Sequence, residues 1–266
     1  MTEAIYLYCL ARSGRLASIQ GNDINGPNPL FLCTFPGITA VVSKVATEEF
    51  CGPSAERSMQ DLAWVGPRAC RHAEVIERMM SHSPVVPARF GTLFSSLESL
   101  GNFLKANETA ILQFLDRVAD QEEWAIKGLL DRMRASETIR SVVVRTRQEE
   151  LSASPGKRYI QEQRMMAAAE KELNTRLKQV CQSVAKKLNQ YASDFCELPV
   201  RDRTVPAGDR EIILNWAFLV PQNARPYFCG RVDEVNAGYS QWGLEFEVTG
   251  PWPPYSFSPC LAICQS

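Results

Sequence analysis

From Pro155 to about Tyr191 the apolar residues fall at Tyr159, Met166, Ala169, Leu173, Leu177, Val180, Val184, Leu188 and Tyr191. After one double step the intervals are threes and fours, the stripe of a helix with one buried face. Ser154 stands where an N-cap should be, and Pro155 takes the first helical position, where a missing N–H costs nothing. No glycine or proline interrupts the run after Gly156. At about 1.5 Å per residue such a helix spans roughly 50 Å, longer than the sheet of a small domain. The pattern therefore predicts a helix that is docked along its length or overhangs its domain. Its outer face holds Lys157, Arg158, Arg164, Lys171, Arg176, Lys178, Lys186 and Lys187 against Glu162, Glu170 and Glu172. A solvated face is the plain reading of these charges, and a partner-binding face is the alternative.

With 266 residues the chain can build two domains, each with its own core. A net charge of -1 argues against generic binding to nucleic acid or acidic membranes, which needs a basic excess. Nine cysteines are scattered with no C-x-x-C pair, and only His72 and His82 could complete a zinc site, so no structural metal is expected. The N-terminus lacks the charged and apolar regions of a signal peptide. No apolar run approaches the roughly 20 residues that span a bilayer. These features suggest a cytosolic chain with reduced thiols serving mainly as small core residues.

Ala4–Leu10 reads as a buried strand, and Pro36-Gly37 as a turn joining strands near Leu30–Phe35 and Ile38–Lys44. Helical sequence runs from about Glu56 to Ser81, with Gly66-Pro67 expected to kink or restart it. Cys70 and His72 lie two positions apart on this helix and point in different directions, which disfavours a thiol–imidazole pair. Pro84–Phe94 reads as a strand leaving on a glycine turn, after which Ser95 and Glu98 suit a capping box. Within it Arg89 is a charge amid apolar neighbours. A structural arginine paired to a carboxylate or carbonyls is the first reading, and an anion-holding or catalytic arginine the second.

In the second half, Glu123–Lys127 alternates as a strand, while Asp131–Ser152 is ambiguous because Val142-Val143-Val144 favours a strand and its charged flanks a helix. After the long helix, Phe195–Arg203 suggests a strand. Glu211–Val220 is apolar on both alternating sets, as in a central strand. Asn223 is placed to cap a short helix that Gly238 ends, and Trp242–Thr249 alternates again. Strand, long helix, strand, strand, short helix, strand is the order of a ferredoxin-like βαββαβ sheet. The expected fold class is thus α+β, with a mixed N-terminal domain (1–119), a ferredoxin-like domain (120–257) and a tail (258–266). Gly250, Pro251, Trp252, Pro253, Pro254, Tyr255, Ser256 and Phe257 form an extended, aromatic strap ahead of that tail.

Thr249-Gly250-Pro251-Trp252-Pro253-Pro254-Tyr255-Ser256-Phe257 resembles the C-terminal signature of the gas vesicle protein F/L family (GvpF/GvpL). Pro87-Ala88-Arg89-Phe90-Gly91-Thr92-Leu93-Phe94 is similar to that family's P-x-R-F-G-T-x-F segment. Glu123-Trp124-Ala125-Ile126-Lys127, Gly156–Ile160 and Asn215–Val220 also match, with Ala125 standing where the family commonly has glycine. The resemblance implies a minor structural or assembly protein of the gas vesicle, with no known reaction, no cofactor and no small-molecule substrate. Its partners would be the small hydrophobic major shell protein (GvpA type) and other gas vesicle proteins. Its place would be the vesicle, on the gas-facing side of the wall in the sharper version, with no lipid membrane and no nucleic acid involved.

The expected role is to hold the shell protein and limit its aggregation during nucleation, because a strand-rich apolar subunit is sticky until it polymerises. Partner contacts are expected from Tyr159, Arg164, Lys171 and Lys178 on the long helix, and from Trp252, Tyr255, Leu261 and Ile263 in the strap and tail. Arg89, Phe90, Gly91, Trp124, Gly250, Pro251, Pro253 and Pro254 are expected to be structural. Two alternatives remain open: a nucleic-acid module built on the ferredoxin-like sheet, and an enzyme holding a small anion with Arg89 near His72 or His82.

Overall fold

The computed structural model describes residues 2–14, 19, 21–147, 155–200 and 210–262. They form a mixed α+β fold. The first strands are β1 (Glu3–Arg12), β2 (Asn22–Asp23), β3 (Gly26–Pro29), β4 (Phe31–Phe35) and β5 (Ile38–Ala46). Three helices follow, α1 (Thr47–Phe50), α2 (Pro53–Ser58) and α3 (Leu62–Met80), then β6 (Val85–Pro87), β7 (Leu93–Phe94) and α4 (Leu97–Arg117). The rest is β8 (Gln121–Asp131), α5 (Arg132–Arg147), α6 (Pro155–Leu188), β9 (Asp194–Glu197), β10 (Arg210–Pro221), α7 (Arg225–Tyr239) and β11 (Leu244–Trp252). Two compact units emerge, Met1–Glu123 with Pro251–Ser266, and Trp124–Gly250.

In the first unit the sheet runs β4-β5-β1-β6, with β7 also on β1. Both faces of β1 are buried from Ala4 to Ala11, which a strand achieves only when helices cover both sides of the sheet. One face, with Tyr6, Tyr8 and Val41, packs on Val75, Ile76 and Met79 of α3. On the other, Phe35 meets Gly101 of α4 and Gly37 meets Leu112. Pro36-Gly37 closes the β4–β5 hairpin, with Gly37 at φ +74° and Phe35 opposite Ile38. Helix α3 runs unbroken through Pro67. The proline stands in the second turn, so the bond it forgoes is the one to the carbonyl of Ala63 near the helix start. Helix α4 starts one residue later than the expected cap: Ser96 accepts from the Ser99 N–H and Ser99 completes the box, in place of Ser95 and Glu98.

In the second unit the sheet order is β11-β8-β10-β9, with β9 and β10 antiparallel. Trp124, Ile126, Trp216, Phe218, Val220 and Phe246 from its strands meet Leu173, Val184 and Leu188 of α6 and Phe228 and Val232 of α7 in one core. The ambiguous stretch after Asp131 is helix α5, and Val142–Val144 lie inside it. Strand propensity is the more context-dependent preference, and the three valines follow the helix of their charged flanks. Helix α7 begins after a 3-10 turn that contains Asn223 and has no side-chain cap. It continues past Gly238 to Tyr239, and the left-handed glycine is Gly243, at φ +74°.

Candidate functional site

Helix α6 changes character along its length. Leu173, Val184 and Leu188 are buried, and Ala169, Leu177 and Val180 pack beside them. The same stripe continues towards the N-terminus at seven-residue steps, from Leu173 to Met166 to Tyr159, but there it leaves the core. Tyr159 is 64% exposed, Ile160 53% and Met166 46%. Arg164, Lys171 and Lys178 are exposed as well. The helix thus carries an apolar stripe with cations around it, half of it used for packing and half open to solvent. Ser154, the expected cap, lies outside the described residues.

Past β11 the chain is bound to the first unit by two side chains. Glu123 is 5% exposed; its carboxylate accepts from the Ser256 N–H at 3.0 Å and from the Ser256 hydroxyl at 2.6 Å. Burial raises the Glu123 pKa, and the two Ser256 bonds oppose that rise. Further on, the Asn107 amide donates to the Ala262 carbonyl at 3.0 Å and accepts the Ala262 N–H at 2.8 Å, so it pairs the tail as a neighbouring strand would. Pro253 and Pro254 just before the first clamp and Phe257 just after it are buried, whereas Trp252 and Tyr255 stay 44% and 40% exposed. Gly250 and Pro251 are exposed, Leu261 is half-buried, and Ile263 lies outside the described residues.

The Pro87–Phe94 segment is fixed from beneath by β1 and α3. Tyr6, fully buried, shares its hydroxyl with His72 Nδ1 at 3.0 Å and accepts the Gly91 N–H at 3.1 Å. His72 Nε2 meets the Ala88 carbonyl at 3.0 Å. A carbonyl only accepts, so Nε2 carries the proton, Nδ1 accepts, and the Tyr6 hydroxyl donates to it. Burial lowers the His72 pKa and raises that of Tyr6, both in favour of this neutral network. Phe90 is half-buried, edge-on to His72 at 5.9 Å, and Gly91 sits at φ +81°. Arg89 points the other way: it is exposed and makes no ion pair or side-chain hydrogen bond among the described residues. Both ring nitrogens of His72 are engaged, so it has none to offer a reaction, and His82 is exposed. Trp124 is 5% exposed in the second unit, with the Arg225 guanidinium 5.0 Å from its ring centroid.

Sequence reasoning missed both clamps and the Tyr6–His72 pair. Asn107 left a signal, being a polar residue on the Leu100–Leu104–Ile111 face of α4. Glu123 left none, since an alternating strand places a carboxylate outward by default. Among the described residues no group of three or more His, Cys, Asp or Glu is arranged to hold a metal ion. No helix of the described residues is long and apolar enough to cross a membrane.

A two-unit α+β chain with a long amphipathic helix that runs out of its core and a clamped proline-rich strap presents surfaces suited to binding another protein. Residues 4–259 match the family described as gas vesicle synthesis protein GvpL/GvpF, and the chain belongs to that family. Gas vesicle protein L of Streptomyces sp. is 23% identical over 254 residues, 95% of this chain and 92% of that protein. Gas vesicle protein L1 of Halobacterium salinarum is 24% identical over 267 residues, 96% of this chain and 90% of its own length. The crystal structure of gas vesicle protein GvpF from Anabaena sp. shares the fold, with a TM-score of 0.72 at 17% identity, covering 97% of this chain and 99% of that one. The family is one of structural gas vesicle proteins and not a known enzyme family, and membership implies association with the vesicle and with other gas vesicle proteins.

Proposed function

We propose that this chain binds the small, hydrophobic major shell protein of the gas vesicle, limits its aggregation while the vesicle nucleates, and stays in the wall on the gas-facing side. The observation that carries the proposal is the exposed N-terminal half of α6, where Tyr159 and Met166 extend a core stripe into solvent and Ile160 is exposed about a quarter-turn from Tyr159. A contiguous apolar surface of that kind is a docking surface for another apolar face. Arg164, Lys171 and Lys178 are exposed on another face of the same helix, in line with Ile160, and give the partner a second, charged contact. Exposed Trp252 and Tyr255 supply a second set of aromatic anchors on the strap. The family of structural gas vesicle proteins is consistent with a holding role rather than a reaction. The second unit is proposed to be a ferredoxin-like domain, supported by its β11-β8-β10-β9 order, which is 4-1-3-2 within the unit.

Light scattering of the shell subunit diluted from denaturant tests the holding role. The parent chain should suppress the scattering, and a variant with Tyr159→Ser, Ile160→Ser and Met166→Ser should lose most of that effect while melting as the parent does. Equal suppression by the triple variant would remove α6 from the proposal.

A further inference from the structure

We propose that Arg89 is a pre-organised docking residue that receives a carboxylate from a partner gas vesicle protein, and that the buried Tyr6–His72 pair exists to hold it in place. The inference deepens the assembly reading above and rests on it.

The backbone around Arg89 is pinned at almost every step. The Ala88 N–H donates to the Tyr8 carbonyl at 2.9 Å, and the Ala88 carbonyl accepts from His72 at 3.0 Å. The Arg89 carbonyl accepts from both the N–H and the hydroxyl of Thr92, at 3.1 and 2.7 Å. The Gly91 N–H donates to Tyr6, and the Thr92 carbonyl accepts the Leu7 N–H at 3.0 Å. Gly91, third in the turn that Thr92 closes, holds a left-handed φ of +81°, which a residue with a Cβ adopts only at a cost. Beneath the turn lie a phenol with no exposure and an imidazole with 3%, groups that are costly to bury unless every polar atom is bonded. A core needing only to fill space would use two apolar rings there. This one uses a donor–acceptor chain whose two ends both terminate on the 88–91 turn.

The product of that construction is one guanidinium held out to solvent without a partner among the described residues. Pinning the backbone removes the backbone share of the ordering entropy lost on binding, so more of the ion-pair energy appears as affinity. The fork of Arg fits a planar carboxylate through two hydrogen bonds. Its neighbours favour a protein as the source of that carboxylate. The Met59 methyl approaches Gly91, within 3.6 Å of where a Cβ would stand. Arginine beside methionine is the make-up of a protein interface, whereas nucleic-acid sites track a stripe of cations.

The test uses the full chain with Arg89→Ala, Arg89→Glu or Arg89→Lys, in cells that form vesicles only when this chain is supplied. The expected result is unchanged melting for all three, vesicle yield cut about tenfold by alanine and more by glutamate, and partial recovery with lysine. A parent-like yield with Arg89→Glu overturns the proposal. So does a lowered melting temperature in Arg89→Ala, the mark of an arginine that serves the fold. Binding of each variant to the purified major shell subunit is measured alongside. If the parent fails to bind that subunit yet Arg89→Glu still abolishes yield, the shell-binding proposal falls and the docking role stands with another gas vesicle protein as partner. An Arg89-dependent affinity for a single-stranded RNA oligomer would assign the guanidinium to phosphate and overturn the carboxylate assignment.

Discussion

Replacing Glu123 by alanine removes the acceptor for both Ser256 bonds, at 3.0 and 2.6 Å, and frees the strap from the first unit at that point. Hydrogen bonds to a charged group contribute about 1.5–3 kcal/mol each. The two together are offset by the cost of keeping a carboxylate 5% exposed, which its raised pKa reports. The net loss expected is about 2 kcal/mol, or at about 3–5 °C per kcal/mol a melting shift of roughly 6–10 °C for a unit of this size. Glutamine behaves differently. Its carbonyl oxygen can accept the Ser256 N–H and its amide can donate to the Ser256 hydroxyl, so both contacts survive without the buried charge. Glu123→Gln should therefore match or exceed the parent at pH 7.

The pH dependence has a fixed sign. A carboxylate whose pKa is raised by folding contributes stability that is fully present below its ordinary value of 4.5 and lost as pH rises through the raised value. The advantage of glutamine over the parent should accordingly shrink as pH falls towards 4.5. Thermal unfolding followed by circular dichroism at pH 7 and pH 4.5 measures all three proteins. An alanine variant within about 0.5 kcal/mol of the parent, the size of an ordinary surface change, would refute the clamp. A glutamine advantage that widened in acid would refute the role given to charge.

Other expectations follow from single positions. Leu173→Ala should cost roughly 2–4 kcal/mol in chemical denaturation, since Leu173 is 3% exposed, whereas Met166→Ala, seven residues earlier on the same stripe, should stay within about 0.5 kcal/mol. The lowered pKa of His72 means that its stability contribution is present above its ordinary value of 6.5 and lost as pH falls below it. Melting should thus drop between pH 7 and 5, and His72→Phe, less stable at pH 7, should lack that part of the slope. Gly91→Ala meets only the Met59 methyl at 3.6 Å, an ordinary contact, so its loss of roughly 1–2 kcal/mol in urea titration should come from the left-handed backbone alone.

Elements with a strong local period could be read from the chain alone. The stripe of α6, the doubly apolar β10 and the Pro36-Gly37 hairpin depend on neighbours along the sequence, and the fold keeps them. What escaped depends on contacts across long sequence separations. Glu123 and Ser256 are 133 residues apart and Asn107 and Ala262 are 155 apart, so neither clamp has a local pattern to betray it. The apolar neighbours of Arg89 suggest a paired, structural charge, yet Arg89 opens the turn that Thr92 closes and is exposed, an outcome set by the turn and not by the polarity of its neighbours. The α6 stripe shows the remaining limit: periodicity marks Tyr159, Met166 and Leu173 alike, and only packing distinguishes those that leave the core from those that enter it.

The most direct measurement starts with intact vesicles floated by centrifugation, washed in strong urea, then collapsed and probed with an antibody to this chain. Detection that resists the wash and appears only after collapse is the predicted result, because a chain held on the gas-facing side of the wall is shielded until the wall breaks. Loss of the chain in the urea wash, or its absence from the vesicles throughout, would contradict the account.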